Sequence, residues 1–244
     1  MIEIRPLHEV ADLHEAVRLQ QEIWGFSDVD LLPVRLFVVA TKVGGQVFGA
    51  FDGETMIGFC VSIPGIKPDG QYYLHSHMLG VLEPYRNGGV GRLLKLAQRD
   101  EALARCITLI EWTFDPLEVK NAYFNIERLG AVIRRFVYNQ YGVTSSAIGG
   151  ALPTDRCIAE WHLTCPRVVN LLAGAPDPRP AVEAAIEVPL AVGEMRHRDP
   201  QSAMEIQRRI SDRFSELLGS GLAVIGLDRS ETAGTYLFGK WEYE

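Results

Sequence analysis

Apolar and polar positions along this 244-residue chain change period several times, and those changes predict its elements. "IEIRPL" alternates as a short edge strand. "EVADLHEAVRLQQEIWG" carries apolar residues at helical spacing and ends at Gly25, and "PVRLFVVATKVG" opens a second helix at Pro33. "QVFGAFDGETMIGFCVSIPG" reads as a hairpin turning at Asp52-Gly53. "QYYLHSHMLGVL" is the next strand and runs straight into "EPYRNGGVG". A helix, "GRLLKLAQRDEALARC", and a strand, "ITLIEWTF", follow. "DPLEVKNAYFNIERLG" is a further helix, with Pro116 near its start and Gly130 as its cap. "AVIRRFVYNQYG" and "RCIAEWHLT" read as two more strands.

The pattern then breaks. "LLAGAPDPRPAVEAA" is rich in Ala and Pro and predicts a linker. Beyond it come a strand, the helix "DPQSAMEIQRRISDRFSELLG" and the strands "LAVIGLD" and "TYLFGKWEY". A piece of about 60 residues is marginal on its own, so it is expected to pack on the rest. The expected division is a main α/β domain over residues 1–168 and an extension over 169–244.

Composition narrows the partners. Hydrophobic residues at 47% suffice for a packed core, and a net charge of −7 argues against general nucleic-acid or membrane-surface binding. The N-terminus lacks an apolar signal core and no apolar run is long enough to span a bilayer, which predicts a cytoplasmic protein. Cys60, Cys106, Cys157 and Cys165 form no C-x-x-C pair, and no His/Cys spacing predicts a metal site. Cys60, Cys106 and Cys157 lie in apolar, strand-like contexts and are expected to be buried.

The chemistry concentrates in "EPYRNGGVGRLLKL", residues 83–96. It is neither a Walker A loop nor a G-x-G-x-x-G fingerprint. What stands there is Arg86-Asn87-Gly88-Gly89-Val90-Gly91, between a strand and a helix. Glycines allow close backbone approach, the helix start offers unpaired amides and a positive dipole end, and Arg86 and Arg92 add charge. That combination is an anion cradle.

This motif after "VLEPY", together with the order strand, helix, helix, three strands, cradle, helix, strand, helix, two strands, resembles the GNAT N-acyltransferases over residues 1 to about 165. The resemblance implies a mixed twisted sheet flanked by helices, with acetyl-CoA or another acyl-CoA as co-substrate and no metal. It implies that the backbone at Leu79 polarises the thioester and that of Val81 pairs with the pantetheine arm. Amides from Gly88 to Arg92, with Arg86, Asn87, Gly89, Val90 and Gly91 in the motif, would hold the pyrophosphate. Gly80 would sit at a bulge where the strand splays.

His75 and His77 alternate with Leu79 and Val81, so they are expected on one face of the strand. His75 matches the position of the family's base six residues before the motif valine. Glu111 and Asp115 are rival bases. The tyrosine that often serves as the acid corresponds here to Ile126, with Tyr123 and Asn125 near it at the wrong spacing, and Ala131 replaces a phenylalanine. "HSHMLGVLEPYR", "EWTFDPLE" and "LPTDRCIAEWHL" further resemble a bacterial GNAT subgroup with a longer C-terminus. That likeness implies a small amine or amino-acid acceptor and acetyl or succinyl transfer, with Arg134, Arg135 or Arg156 as contacts for a carboxylate. A homodimer is compatible with the apolar extension. The alternative is a non-catalytic acyl-CoA-binding module.

Overall fold

The computed structural model describes residues 1–142, 152–175 and 179–242. These fall into two compact units, residues 1–111 and the residues from 112 onward.

The first unit holds β1 (Ile2–Pro6), α1 (Val10–Trp24), α2 (Val34–Lys42), β2 (Gln46–Asp52), β3 (Thr55–Ile66), β4 (Tyr72–Val81), α3 (Val90–Ala104) and the start of β5 (Leu109–Phe114). The strands lie in the order β1-β2-β3-β4-β5. Pairs from β1 to β4 are antiparallel, and β4 and β5 are parallel. Helices cover both faces. Leu13, Ala16 and Leu19 of α1 and Phe37 and Ala40 of α2 pack with Phe59 and Val61. Val90 and Leu94 of α3 pack with Phe48, Ile57, Cys60 and Val81. The opposite facing of Cys60 to Phe59 and Val61 is the period-two signature of a strand buried on both sides.

The expected hairpin forms one residue later than expected. Asp52 pairs with Thr55, so the two-residue loop is Gly53-Glu54. Gly53 has a φ of 60° and Glu54 does not share it, as a loop with glycine at its first central position demands.

The second unit holds α4 (Val119–Tyr123), β6 (Val132–Val137), β7 (Arg156–His162), α5 (Pro166–Leu172), β8 (Ala184–Pro189), α6 (Val192–Arg198), α7 (Pro200–Gly219), β9 (Ala223–Arg229) and β10 (Ala233–Gly239). Its strand order is β7-β6-β9-β10-β8. The helix expected from Pro116 starts only at Val119, because Asp115 caps the intervening turn through Leu117 N at 2.8 Å. It then widens into a π-helical turn, Phe124–Arg128. The stretch read as a linker begins inside α5, whose Pro166 occupies the first helical turn. α6 is a second helix the pattern did not predict; Asp199 ends it and caps α7 by accepting from Ser202 N at 3.2 Å.

The C-terminal elements share a core with β6. Phe214 of α7 is fully buried, stacks on Phe136 of β6 at 5.7 Å, and meets Tyr236 and Phe238 of β10 edge-on at 4.9 and 5.5 Å. Ile133 of β6 pairs with Val224 of β9. Without β8–β10 and α7, one edge of β6 and this aromatic cluster would lie open to water. Ending the chain at Ala175 should therefore give an aggregating product with no cooperative melting transition by circular dichroism. A monodisperse truncate with a sharp transition would show that the extension is dispensable for folding. Within the full chain, Phe214→Ala should cost about 3–5 kcal/mol in denaturant titration.

Candidate active site

The candidate site of the first unit is built on β4. Its register with β3 shifts between Met78↔Val61 and Ser76↔Ser62, so His77 is the extra residue of a bulge. The bulge was expected at Gly80. Gly80 instead pairs in register with Phe59. It is glycine because a Cβ there would stand 2.5 Å from the Trp24 ring and 2.8 Å from Ile23.

The extra residue inverts the strand's facing. Met78 packs on the α1–α2 side with Ile63, the partner of His75. Leu79 and Val81 pack on the α3 side, where Ser76 also points. The expectation that His75 and His77 share a face with Leu79 and Val81 is corrected accordingly. His75 looks to the α1–α2 side, and its ring centroid lies 5.9 Å from that of His77.

The ladder between β4 and β5 is limited, among the described residues, to Leu74↔Ile110 and His75↔Glu111. Leu82 N bonds Ile57 O at 2.9 Å, and antiparallel alternation then turns the backbone groups of Leu79 and Val81 away from β3. This is an edge to which an extended ligand can pair.

The cradle follows at once. A 3-10 turn, Glu83–Tyr85, leads into Arg86, then Asn87 and Gly89 with φ of 64° and 86°. Gly89 caps α3 with no side-chain hydrogen bond, and its carbonyl accepts from Leu93 N at 3.0 Å. The amides of Val90, Gly91 and Arg92 therefore precede the first intrahelical donor, Leu93 N–H, and have no acceptor within the helix. A Cβ on Gly89 would meet nothing within 4 Å, and one on Gly91 only Leu79 at 3.5 Å. Packing does not require glycine at 91; the missing Cβ leaves its backbone open to close approach. Val90 itself is buried in the core, so only its backbone can serve a ligand. Arg86 is exposed and its Nε donates to Val81 O at 3.0 Å. One end of its guanidinium thus holds the strand end, and the Val81 carbonyl expected to meet pantetheine is already bonded.

The site's charges are arranged around β4. Burial lowers the pKa of His75, and the neighbouring His77 and Lys95 add to the effect, bringing it to about 4. Desolvation lowers His77 in the same direction, although the residue as a whole is exposed. Glu111, opposite His75, is 4% exposed and paired with Lys67, whose ammonium also lies 4.7 Å from the Tyr73 ring centroid. A buried carboxylate held by an ammonium is a poor rival base. Asp115 is likewise engaged, with Arg196 at 2.7 Å and Arg156 at 4.0 Å.

In the second unit, Arg134 and Arg135 both grip the buried Glu160, with contacts at 2.6 and 3.0 Å. A bulge at Arg134 allows two consecutive residues to reach one carboxylate. Burial alone would raise Glu160, but the nearness of His162 at 3.4 Å, the hydrogen bond and charge of Arg134 and the charge of Arg135 bring it down to about 2. Ile126 is fully buried in the π-helical turn, and the Tyr123 ring lies within 5.7 Å of Arg128 and 5.2 Å of Arg229. Cys60 is buried and its thiol pushed up to about 12 by desolvation. Cys106, expected inside, is exposed at a turn with a φ of 60°. Sequence reasoning missed Lys67 and Lys95. Lys95 was findable, because with Gln98 it occupies inward positions of the α3 stripe set by Val90, Leu94 and Ala102.

Comparison with solved structures gives this architecture its class. The ribosomal-protein-S18-alanine N-acetyltransferase of Escherichia coli superposes with a TM-score of 0.52 at 19% identity, covering 68% of this chain and 96% of that one. NAA60 of Arabidopsis thaliana, in complex with a bisubstrate analogue, gives 0.53 at 14% identity over 66% and 97%. Naa50 of Arabidopsis thaliana, in complex with the bisubstrate analogue CoA-Ac-MVNAL, gives 0.51 at 16% identity over 65% and 97%. The chain has the GNAT fold, a mixed sheet flanked by helices. No family model matches it, and no curated protein matches it. About a third of the chain lies outside what these structures cover.

The cradle yields a direct test. Gly91→Val should fold, since its Cβ meets Leu79 at an ordinary distance, yet weaken coenzyme A binding by more than about tenfold, ~1.4 kcal/mol. Isothermal calorimetry giving wild-type affinity for this variant would remove the amides of α3 from the binding site.

Proposed function

We propose that the protein is an acyl-CoA-dependent N-acyltransferase working by direct attack of an amine on the thioester. The observation that carries the reading is the amide cradle at the start of α3, directly after a bulged strand whose Leu79 and Val81 backbone is turned outward. Diphosphate oxygens match the unpaired amides and the dipole end, and an acyl-pantetheine arm matches the strand edge. The fold likeness to N-acetyltransferases supports the same reading. For the acceptor we propose a small amine or amino acid, since the chain's net charge of −7 disfavours polyanions. Acetyl and succinyl are the acyl groups to test first.

In the proposed mechanism Leu79 N–H polarises the thioester carbonyl and stabilises the oxyanion that forms on attack. His75 is neutral at neutral pH because its pKa is depressed, so it can accept the amine's proton, directly or through one water. Its lowered pKa makes it a weak base that acts once attack has made the nitrogen acidic. No tyrosine stands at Ile126 to protonate the departing thiolate. The thiolate can leave as such, since a thiol pKa near 8.5 makes it a good leaving group. The buried Ile126 also favours a second reading, a non-catalytic acyl-CoA sensor. Thiol release from acetyl-CoA and succinyl-CoA across an amine panel separates the two: turnover supports the enzyme, and tight binding without turnover supports the sensor.

His75 sets the pH dependence. Protonation disables it, so kcat/KM should fall as pH drops through about 4, not through the ordinary histidine value near 6.5. His75→Gln should cut kcat by roughly 10²–10⁴-fold and leave coenzyme A affinity unchanged. Wild-type turnover in this variant would leave deprotonation to bulk water.

A further inference from the structure

The α3 side of β4 holds a buried polar layer where an apolar one would be expected. Lys95 and Gln98 of α3, Ser76 of β4, Ser62 of β3 and Gln46 of β2 are all buried. Lys95 Nζ donates to Ser76 Oγ at 2.8 Å, and Ser76 donates to Gln98 Oε1 at 3.0 Å. Gln46 Nε2 donates to the Gln98 carbonyl at 2.9 Å and to the Glu101 carboxylate, and Ser62 donates to Gln46 Oε1 at 2.9 Å. One chain of hydrogen bonds thus ties α3 to three strands. Desolvation pushes the Lys95 amine down to about 7, against the opposing effect of Cys60.

Such burial is costly, and attachment of α3 does not require it, because Val90 and Leu94 already pack on the sheet. The layer's position is informative. Ser76 immediately precedes the bulge residue His77, and Lys95 lies about one helical turn beyond Gly91. The layer therefore joins the base of the cradle to the base of the bulge. The Ser76 hydroxyl is held on both sides: its proton goes to Gln98 and its lone pair receives Lys95.

We propose that Lys95, through Ser76, is a positioning residue that fixes the β4 bulge against the α3 amide cradle and so sets the separation between bound pyrophosphate and thioester. This rests on the acyl-CoA reading above. Lys95 is 3% exposed and its ammonium donates to Ser76, so it acts through that hydroxyl on the strand. A misplacement of about 1 Å at a reacting centre is enough to cost up to roughly a hundredfold in rate.

The test compares Lys95→Met, Ser76→Ala and the double variant. Methionine keeps the side-chain length and removes the buried amine, so the melting temperature of Lys95→Met should not fall. Each single variant should lose roughly ten- to a hundredfold in kcat with unchanged coenzyme A affinity, and the double variant should lose no more than the worse single one. Amide hydrogen exchange at Met78–Val81 in the unliganded protein should quicken in both. Wild-type kcat and exchange in the single variants overturn the proposal. So do additive losses, or losses of kcat, affinity and melting temperature in parallel, which would mark simple destabilisation. If the wild-type protein turns over no acyl-CoA, the transferase reading falls separately and exchange alone decides: faster exchange supports the Lys95 anchor, and unchanged exchange removes it.

Discussion

The extra residue at His77 is the constraint on which the rest of the first unit depends. A strand without it would place Ser76, Met78 and Gly80 on one face and His75, His77, Leu79 and Val81 on the other. Insertion of one residue gives the α3 side Ser76, Leu79 and Val81, and the α1–α2 side His75 and Met78. Each side then finds what it needs. Leu79 and Val81 complete the apolar bed of α3, while Met78 enters the cluster around Phe59. The bulge also takes β4 out of register beyond His75, and among the described residues the parallel ladder to β5 is limited to two pairs. A local irregularity of one residue therefore produces an open strand edge, a histidine pair and a packed helix together.

Charge around β4 is handled by pairing on one side and by neutralisation on the other. Glu111 keeps its carboxylate buried against Lys67, a residue supplied by the turn beyond β3. His75, next to it in the sheet, is held neutral by burial and by the nearness of His77 and Lys95. Glu111 is taken up by an ammonium of the chain, whereas the neutral imidazole has a lone pair to offer. The second unit repeats the pairing solution. Glu160 holds Arg134 and Arg135, and Arg196, 2% exposed, is paired with Asp115 and Glu118. Arg156 lies 4.0 Å from Asp115, so each of the three arginines suggested as contacts for an acceptor carboxylate, Arg134, Arg135 and Arg156, already faces a carboxylate of the chain itself.

Elements with long periodic patterns were legible in the sequence. α1, α2, α3 and α7 lie where their apolar spacing puts them, and the cradle at Arg86–Arg92 follows from three glycines between a strand and a helix. Short elements were not. α5 and α6 have seven residues each, about two turns, too few for a period to register against the prolines and glycines beside them. The bulge was displaced for a similar reason. A glycine is the usual marker of irregular strand geometry, but Gly80 is explained by Trp24 and Ile23 pressing on it, and the irregular residue is a histidine. Long-range partners such as Lys67 with Glu111 leave no trace in local pattern, because the contact spans 44 residues.

The depressed pKa of His75 also constrains the order of events in the proposed reaction. Full proton transfer from a free ammonium, with a reference pKa near 10.4, to such an imidazole is steeply uphill. An amine that reaches the site already neutral meets no such barrier, since its nitrogen becomes strongly acidic only once the carbon–nitrogen bond has formed and then gives up its proton. A base of low pKa is then adequate, and it has the further property of staying unprotonated across the whole neutral range. The same desolvation that weakens His75 as a base strengthens the amide of Leu79 as an oxyanion donor, because both lie where water is partly excluded. Weak base and strong electrostatic stabilisation are thus consequences of one burial. They favour a mechanism led by polarisation of the thioester, with proton removal following the attack.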